Sequence, residues 1–250
     1  WTCSIKMSDL PIGVSIFNVL NNEMNFNLKA ARFFAGHSLG EYTALVCSGS
    51  LTLERAAYLL FERGKSMQES VPIGEGAMTA VLGMTIEEVE QEINLLPKNE
   101  ICEIANDNTS SQVVVSGTKK VIEILNENLK KKRKKSIVLP VSAPFHCSLM
   151  KKAQDKMIKK IENTNFLTPK PGIISNVTAK EENDTKQIKT LLVDQIISKV
   201  RWRESVDYMI KNGVNEFIEI GPGKVLSGLV KKINKDVKIT NINMLDNINT

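Results

Sequence analysis

The pentapeptide Gly36-His37-Ser38-Leu39-Gly40 follows the short apolar run Arg32-Phe33-Phe34-Ala35 and opens a helical pattern. A G-x-S-x-G motif between strand and helix is the setting of a nucleophile elbow, whose sharp turn pushes the serine oxygen outward. Small residues two positions to either side let the backbone fold that tightly. Helix amides then face the reacting oxygen, which places the Leu39 N–H to stabilise a tetrahedral oxyanion. A serine hydroxyl needs a base to act as nucleophile. The chain has 2 histidines, His37 and His146. His37 adjoins Ser38 across a tight turn, so its side chain points away. By elimination the base is His146, on the proline-containing segment Ala143-Pro-Phe-His146. In α/β-hydrolases the order Ser, acid, His would put the orienting carboxylate between positions 38 and 146. Asp107 and several glutamates lie there, none in a distinctive context, which argues against an ordinary esterase.

The elements around these residues follow from periodicity. Leu53 to Gln68 reads as a helix with Ala56, Ala57, Leu59, Leu60 and Met67 on a broad apolar face. Gly74-Glu-Gly76 then punctuates the chain. Beyond it the reading is strand Ala77–Leu82, then helix Thr85–Leu95 opened by a Thr85/Glu88 capping box. Strands Ile101–Ala105 and Gln112–Val115 follow, with a polar turn over Asn106–Ser111 between them. Helix Thr118–Lys132 and strand Ser136–Val141 complete a βαββαβ order, that of a ferredoxin-like unit inserted in the chain. After His146 come a helix from Ser148, strand Gly172–Asn176, helices Thr185–Ile197 and Trp202–Lys211, and strand Glu216–Ile220. Strands alternating with helices imply a mostly parallel sheet covered on both faces. Gly221-Pro222-Gly223 reads as a helix-initiating turn, since it lacks the spacing of a phosphate-binding loop.

Composition removes several classes. With 250 residues, 42% apolar and 24% charged, the chain suits a folded protein with a real core. No run approaches the roughly 20 apolar residues of a membrane helix. Aromatics are 5% and do not interleave with basic residues, so no base-stacking platform is expected and no nucleic-acid partner. Two histidines and four scattered cysteines (Cys3, Cys47, Cys102, Cys147) leave no metal site and read as reduced thiols. The net charge of +5 includes the run Lys130–Lys135, with Lys151-Lys152 and Lys159-Lys160 nearby in sequence. Such a run suits an acidic partner, though most are simply solvated helix ends.

Four blocks together carry a resemblance: Gly36-His-Ser-Leu-Gly-Glu-Tyr42, Arg63-Gly-Lys-Ser-Met-Gln68, Pro144-Phe-His-Cys-Ser-Leu-Met150 and Gly221-Pro-Gly-Lys-Val-Leu226. In kind and order they resemble the malonyl-CoA:acyl carrier protein transacylases of type II fatty-acid synthesis, relatives of polyketide acyltransferase domains. The resemblance implies an α/β fold with an α/β-hydrolase-like core (1–73 and 143–250) and a ferredoxin-like subdomain (74–142). It implies that Ser38 takes a malonyl group from malonyl-CoA as an ester and passes it to the phosphopantetheine thiol of acyl carrier protein. His146 would be base and then acid, oriented by the backbone carbonyl of Gln195 rather than by a carboxylate. Arg63 would grip the malonyl carboxylate, a task suited to a planar guanidinium. Without that context an arginine on a helix is usually a surface ion-pairing group. Asn108 and Asn176 match polar positions expected to touch the thioester or pantetheine arm, and Phe145 resembles the malonyl-selective form of its loop.

The same resemblance implies a monomer with no permanently bound cofactor. The asparagine and lysine bias suggests the interior of a plastid-type organelle, with bacterial cytoplasm as the alternative. One departure stands out. The family's first strand and its Gly-Gln-Gly loop, source of a second oxyanion amide, have no match before Ser38. Both are expected to be missing from the chain. Rival readings are an acyltransferase for another acyl unit, a serine esterase or thioesterase, and a degenerate, non-catalytic module.

Overall fold

The computed structural model describes residues 2–5, 10–23 and 31–243. In chain order the elements are β1 (Thr2–Ile5), α1 (Leu10–Asn22), β2 (Phe33–Ala35), α2 (Gly40–Cys47), α3 (Leu53–Gln68), β3 (Gly76–Leu82) and α4 (Ile86–Asn94). Next are β4 (Cys102–Thr109), β5 (Gln112–Thr118), α5 (Lys119–Lys131), β6 (Lys135–Val138), a 3-10 turn at Ser148–Met150 and α6 (Lys151–Glu162). The remainder is β7 (Ile173–Ile174), β8 (Glu181–Glu182), α7 (Thr185–Asp194), α8 (Trp202–Lys211), β9 (Glu216–Ile220), α9 (Val225–Ile233) and β10 (Lys238–Ile242). The protein is therefore an α/β fold, as expected.

The chain forms two compact units. The first takes Trp1–Leu60, Glu162–Leu191 and Glu204–Thr250; the second takes Phe61–Ile161 and Leu192–Arg203. The first holds a six-stranded sheet in the order β10-β9-β1-β2-β7-β8. Its pairs are parallel apart from the antiparallel β7–β8 edge. Phe33, Phe34, Ala35, Ile173 and Ile174 are all buried. Such unbroken apolar runs mark strands covered on both faces. β1 lies between β9 and β2. Its parallel partners supply the pairing. No Gly-Gln-Gly sequence stands before Ser38. The short β8 and the C-terminal β10 had no clear sequence signal.

The second unit holds an antiparallel sheet in the order β4-β5-β3-β6. Alternation sorts its side chains. Val81, Val113 and Val115 on one face pack with Val89, Val121, Ile122, Leu125 and Leu129 from α4 and α5. Met78, Ala80, Ala105 and Val114 pack on the other side with Leu139, Val141 and Phe145. The Thr85/Glu88 capping box is formed: Glu88 N–H donates to Thr85 Oγ1 (3.3 Å) and Thr85 N–H to Glu88 Oε2 (2.8 Å).

Several boundaries differ from the sequence reading, two of them at the site. Asn106–Thr109 is not a turn: β4 runs through it, with register shifts at Ile104/Asn106 and Asp107/Thr109. The polar run stays in the sheet because its groups have partners. Asp107 is fully buried and takes a bidentate ion pair from Arg203 at 2.8–3.1 Å. Asp107 N–H also donates to Val200 O, and Val200 N–H to Ala105 O. The same bonds tie residues 192–203 to this unit, which is therefore larger than the 74–142 segment. Helix α7 stops at Asp194 rather than continuing to Ile197, which leaves Gln195 just beyond its end.

Candidate active site

In the first unit the chain leaves β2 at Ala35 and reaches α2 at Gly40 in four residues, the elbow. Ser38 has φ 53°, a left-handed conformation that costs energy for a residue with a Cβ. A Cβ on Gly36 would overlap the carbonyl of Gly40, so only glycine permits the turn. Gly40 N–H donates to His37 O (2.9 Å), Glu41 N–H to Ser38 O (3.1 Å) and Tyr42 N–H to Leu39 O (3.1 Å). Leu39 is the N-cap of α2, so its amide stands at the N-terminal end of that helix.

Asn176 holds this turn. Ala35 and Ile174 are register partners in neighbouring parallel strands, so the residues just beyond each reach the same end of the sheet. Asn176 Nδ2 donates to Gly36 O (2.7 Å), and its Oδ1 accepts from Ser38 N–H (2.6 Å). Its own N–H donates to Glu41 Oε2 (3.1 Å) on the far side of the elbow. Asn176 was expected to contact substrate. Both ends of its carboxamide are bonded to elbow backbone, and it is 1% exposed.

The second unit carries the remaining chemistry. His146 is buried and left-handed, with φ 59°. A Cβ on Gly76 would overlap the Pro144 ring, so this glycine in β3 makes room for the histidine segment. Cys147 Sγ donates to Pro144 O (3.1 Å), and both the backbone and the hydroxyl of Ser148 donate to Glu103. His146 Nδ1 lies 2.9 Å from Gln195 O. A carbonyl only accepts, so Nδ1 carries hydrogen and Nε2 is the basic nitrogen. Gln195 follows the last residue of α7, where carbonyls lack intrahelical partners. Its side chain turns the other way, and its Oε1 accepts from Arg63 Nη2 at 3.0 Å. Arg63, His146 and Gln195 are all at most 4% exposed.

Asn108 is buried within β4, and Phe145 is half-buried against the Met78, Ala80, Ala105, Val114 cluster. Burial pushes the Cys102 thiol up to about 12, with Cys147 adding to it, and pushes Cys147 up to about 11. Both therefore stay protonated near neutrality and are poor rivals to a serine nucleophile. Among the described residues no cluster of three or more His, Cys, Asp and Glu is arranged to hold a metal ion. Gly221-Pro-Gly223 does lead into α9. The Glu219 carboxylate takes the Leu226 and Ser227 amides there, so the helix start is already capped.

Sequence reasoning missed the Asn176–Glu41 support and the Arg63–Gln195 side-chain bond. A signal was available for the first: an asparagine closing the strand candidate Gly172–Asn176. Nothing in the sequence links Arg63 to the side chain of Gln195.

A family profile described as "Acyl transferase domain" matches residues 29–245. The malonyl CoA-acyl carrier protein transacylase of Bacillus subtilis is 45% identical over 208 residues, covering 82% of this chain and 66% of its own length. Among solved structures, an acyl-carrier-protein S-malonyltransferase from Bartonella henselae superposes with a TM-score of 0.92 at 38% identity, covering 96% of this chain and 77% of its own. A type II polyketide malonyl-transacylase, solved with its acyl carrier protein, gives 0.91 at 37% identity, covering 95% of this chain and 76% of its own.

Proposed function

Because the chain belongs to the acyl transferase domain family, we propose that it moves the malonyl group from malonyl-CoA to the phosphopantetheine thiol of acyl carrier protein, supplying fatty-acid elongation. The observation that carries this reading is Gln195, which bonds His146 through its carbonyl and Arg63 through its side chain. A proton-transfer group and a cation suited to a carboxylate are thus fixed by one residue.

In the first half-reaction Ser38 Oγ attacks the thioester carbonyl while its proton passes to His146 Nε2. The negative charge that develops on the carbonyl oxygen is stabilised by the Leu39 N–H. The carbon–sulfur bond then breaks, and the coenzyme A thiolate leaves with the proton from His146. In the second half the carrier thiol gives its proton to His146 and attacks the malonyl-serine ester, and Ser38 recovers its hydrogen. The cycle needs no permanently bound cofactor. Arg63 selects the carboxylate, and Asn108 and Phe145 border the acyl and pantetheine path.

We read the six-stranded unit as an α/β-hydrolase-like core and the four-stranded one as ferredoxin-like, a reading supported by the strand order of the latter. The exposed Lys130–Lys135 run is the landing surface for an acidic carrier protein. The protein acts as a monomer in a reducing interior, bacterial cytoplasm or plastid-type organelle, in keeping with the free thiols of Cys102 and Cys147.

The test is intact-protein mass spectrometry after brief exposure to malonyl-CoA. One malonyl adduct on Ser38, removed by carrier thiol, is expected. Ser38→Ala should abolish it, and His146→Ala should slow its formation by orders of magnitude. A stoichiometric label on Ser38→Ala, or hydrolysis without transfer, would reject the transferase reading.

A further inference from the structure

We propose that the Gln195 side chain sets acyl selectivity by aiming Arg63, a positioning role separate from that of its backbone carbonyl. The proposal rests on the reading of Arg63 as the carboxylate-binding group. Arg63 is 3% exposed and Gln195 fully buried, so the 3.0 Å bond between Nη2 and Oε1 is shielded from competing water. A guanidinium is a planar fork of five donors, and one well-placed acceptor fixes the orientation of that plane. The acceptor is a neutral amide. It therefore does not itself neutralise the positive charge, whereas a glutamate there would.

Placement beyond α7 lets one residue do both jobs. The following turn is held by Ile197 N–H and Ser198 N–H donating to Asp194 O. The Gln195 carbonyl faces His146 and the side chain faces Arg63. The histidine contact uses only backbone, so any residue at 195 keeps it. The arginine contact needs the amide oxygen, and this separability makes the proposal testable.

The measurement is the malonyl-to-acetyl ratio of kcat/KM for acylation of Ser38, in a double-mutant cycle on the full chain. Gln195→Met keeps the volume and removes the acceptor, and should lower the ratio about tenfold, the scale of a hydrogen bond to a charged group. In an Arg63→Ala background the same change should move the ratio less than about twofold, because the group being aimed is gone. Gln195→Glu, nearly isosteric, serves if the Met variant does not fold. Its carboxylate should lower the ratio further, toward about 100-fold, by occupying the guanidinium and repelling the substrate. An unchanged ratio in both Gln195 variants, or an equal fall in both backgrounds, would overturn the proposal. Should Arg63→Ala itself leave the ratio unchanged, the fault lies in the assignment of Arg63 rather than in the Gln195 link.

Discussion

A malonyl thioester differs from an acetyl thioester by one carboxylate, and that group must shed water wherever it binds. Unpaired in a buried site it would cost several kcal/mol, so discrimination needs a fixed cation. Arg63 is buried in the second half of α3 with its fork held by Gln195. Truncating one member of a buried charge pair costs about 3–5 kcal/mol, which is about 100-fold or more in rate. Arg63→Ala should therefore shift the malonyl-to-acetyl ratio of kcat/KM by at least about 100-fold. Arg63→Lys should recover only part, because an ammonium restores charge without the two-pronged geometry. The check is acylation kinetics with both thioesters. An equal fall for both would make Arg63 a structural residue and remove the physical warrant for malonyl specificity.

The elbow shows what an element can carry that its own residues cannot. Gly36, Ser38 and Gly40 specify the turn locally, so it was legible in the sequence, as was the Thr85/Glu88 capping box. The support for the turn was not, because Asn176 lies 138 residues from Ser38 and meets it only through the pairing of β2 with β7. The polar strand at Asn106–Thr109 was hidden for the same reason. Asparagine and aspartate favour turns until a distant group, here Arg203, satisfies them inside a sheet. The clamp makes an unusual prediction for Asn176→Asp. A protonated aspartate can still donate to Gly36 O and accept from Ser38 N–H, but a carboxylate would face the Gly36 carbonyl and adjoin Glu41. Burial and the neighbouring acid both raise the pKa of the new group. Activity of the variant relative to wild type should thus be lowest at alkaline pH and climb as pH falls. Because the elbow serves every acyl group, the loss should be the same for malonyl-CoA and acetyl-CoA. A loss confined to malonyl-CoA would instead favour the substrate-binding role of Asn176.

Over the whole molecule the net charge is only +5, yet six cations stand side by side at Lys130–Lys135. All six are exposed, and among the described residues only Lys132 has an ion-pair partner, Glu92 at 2.7 Å. They lead into β6, the edge of the antiparallel sheet, where Ile137 is 46% and Val138 60% exposed. Lysines are a common defence of a bare strand edge against aggregation, so edge protection alone would account for one or two of them. Six in a row around exposed apolar side chains also make a surface that attracts an acidic protein and gives it something to settle on. Charges at such a rim act chiefly on the rate of encounter and its salt dependence. Reversing three together (Lys131→Glu, Lys134→Glu and Lys135→Glu) should raise the KM for carrier protein by about tenfold at low salt and flatten its dependence on ionic strength. Acylation of Ser38 by malonyl-CoA should stay unchanged, since these residues lie outside the machinery of that step. Transfer to free pantetheine, which brings no protein surface, should likewise be unaffected. The decisive comparison is carrier-protein KM against salt concentration for wild type and the triple variant. Parallel curves would leave the lysines as guardians of the β6 edge and send the search for the carrier's landing site elsewhere.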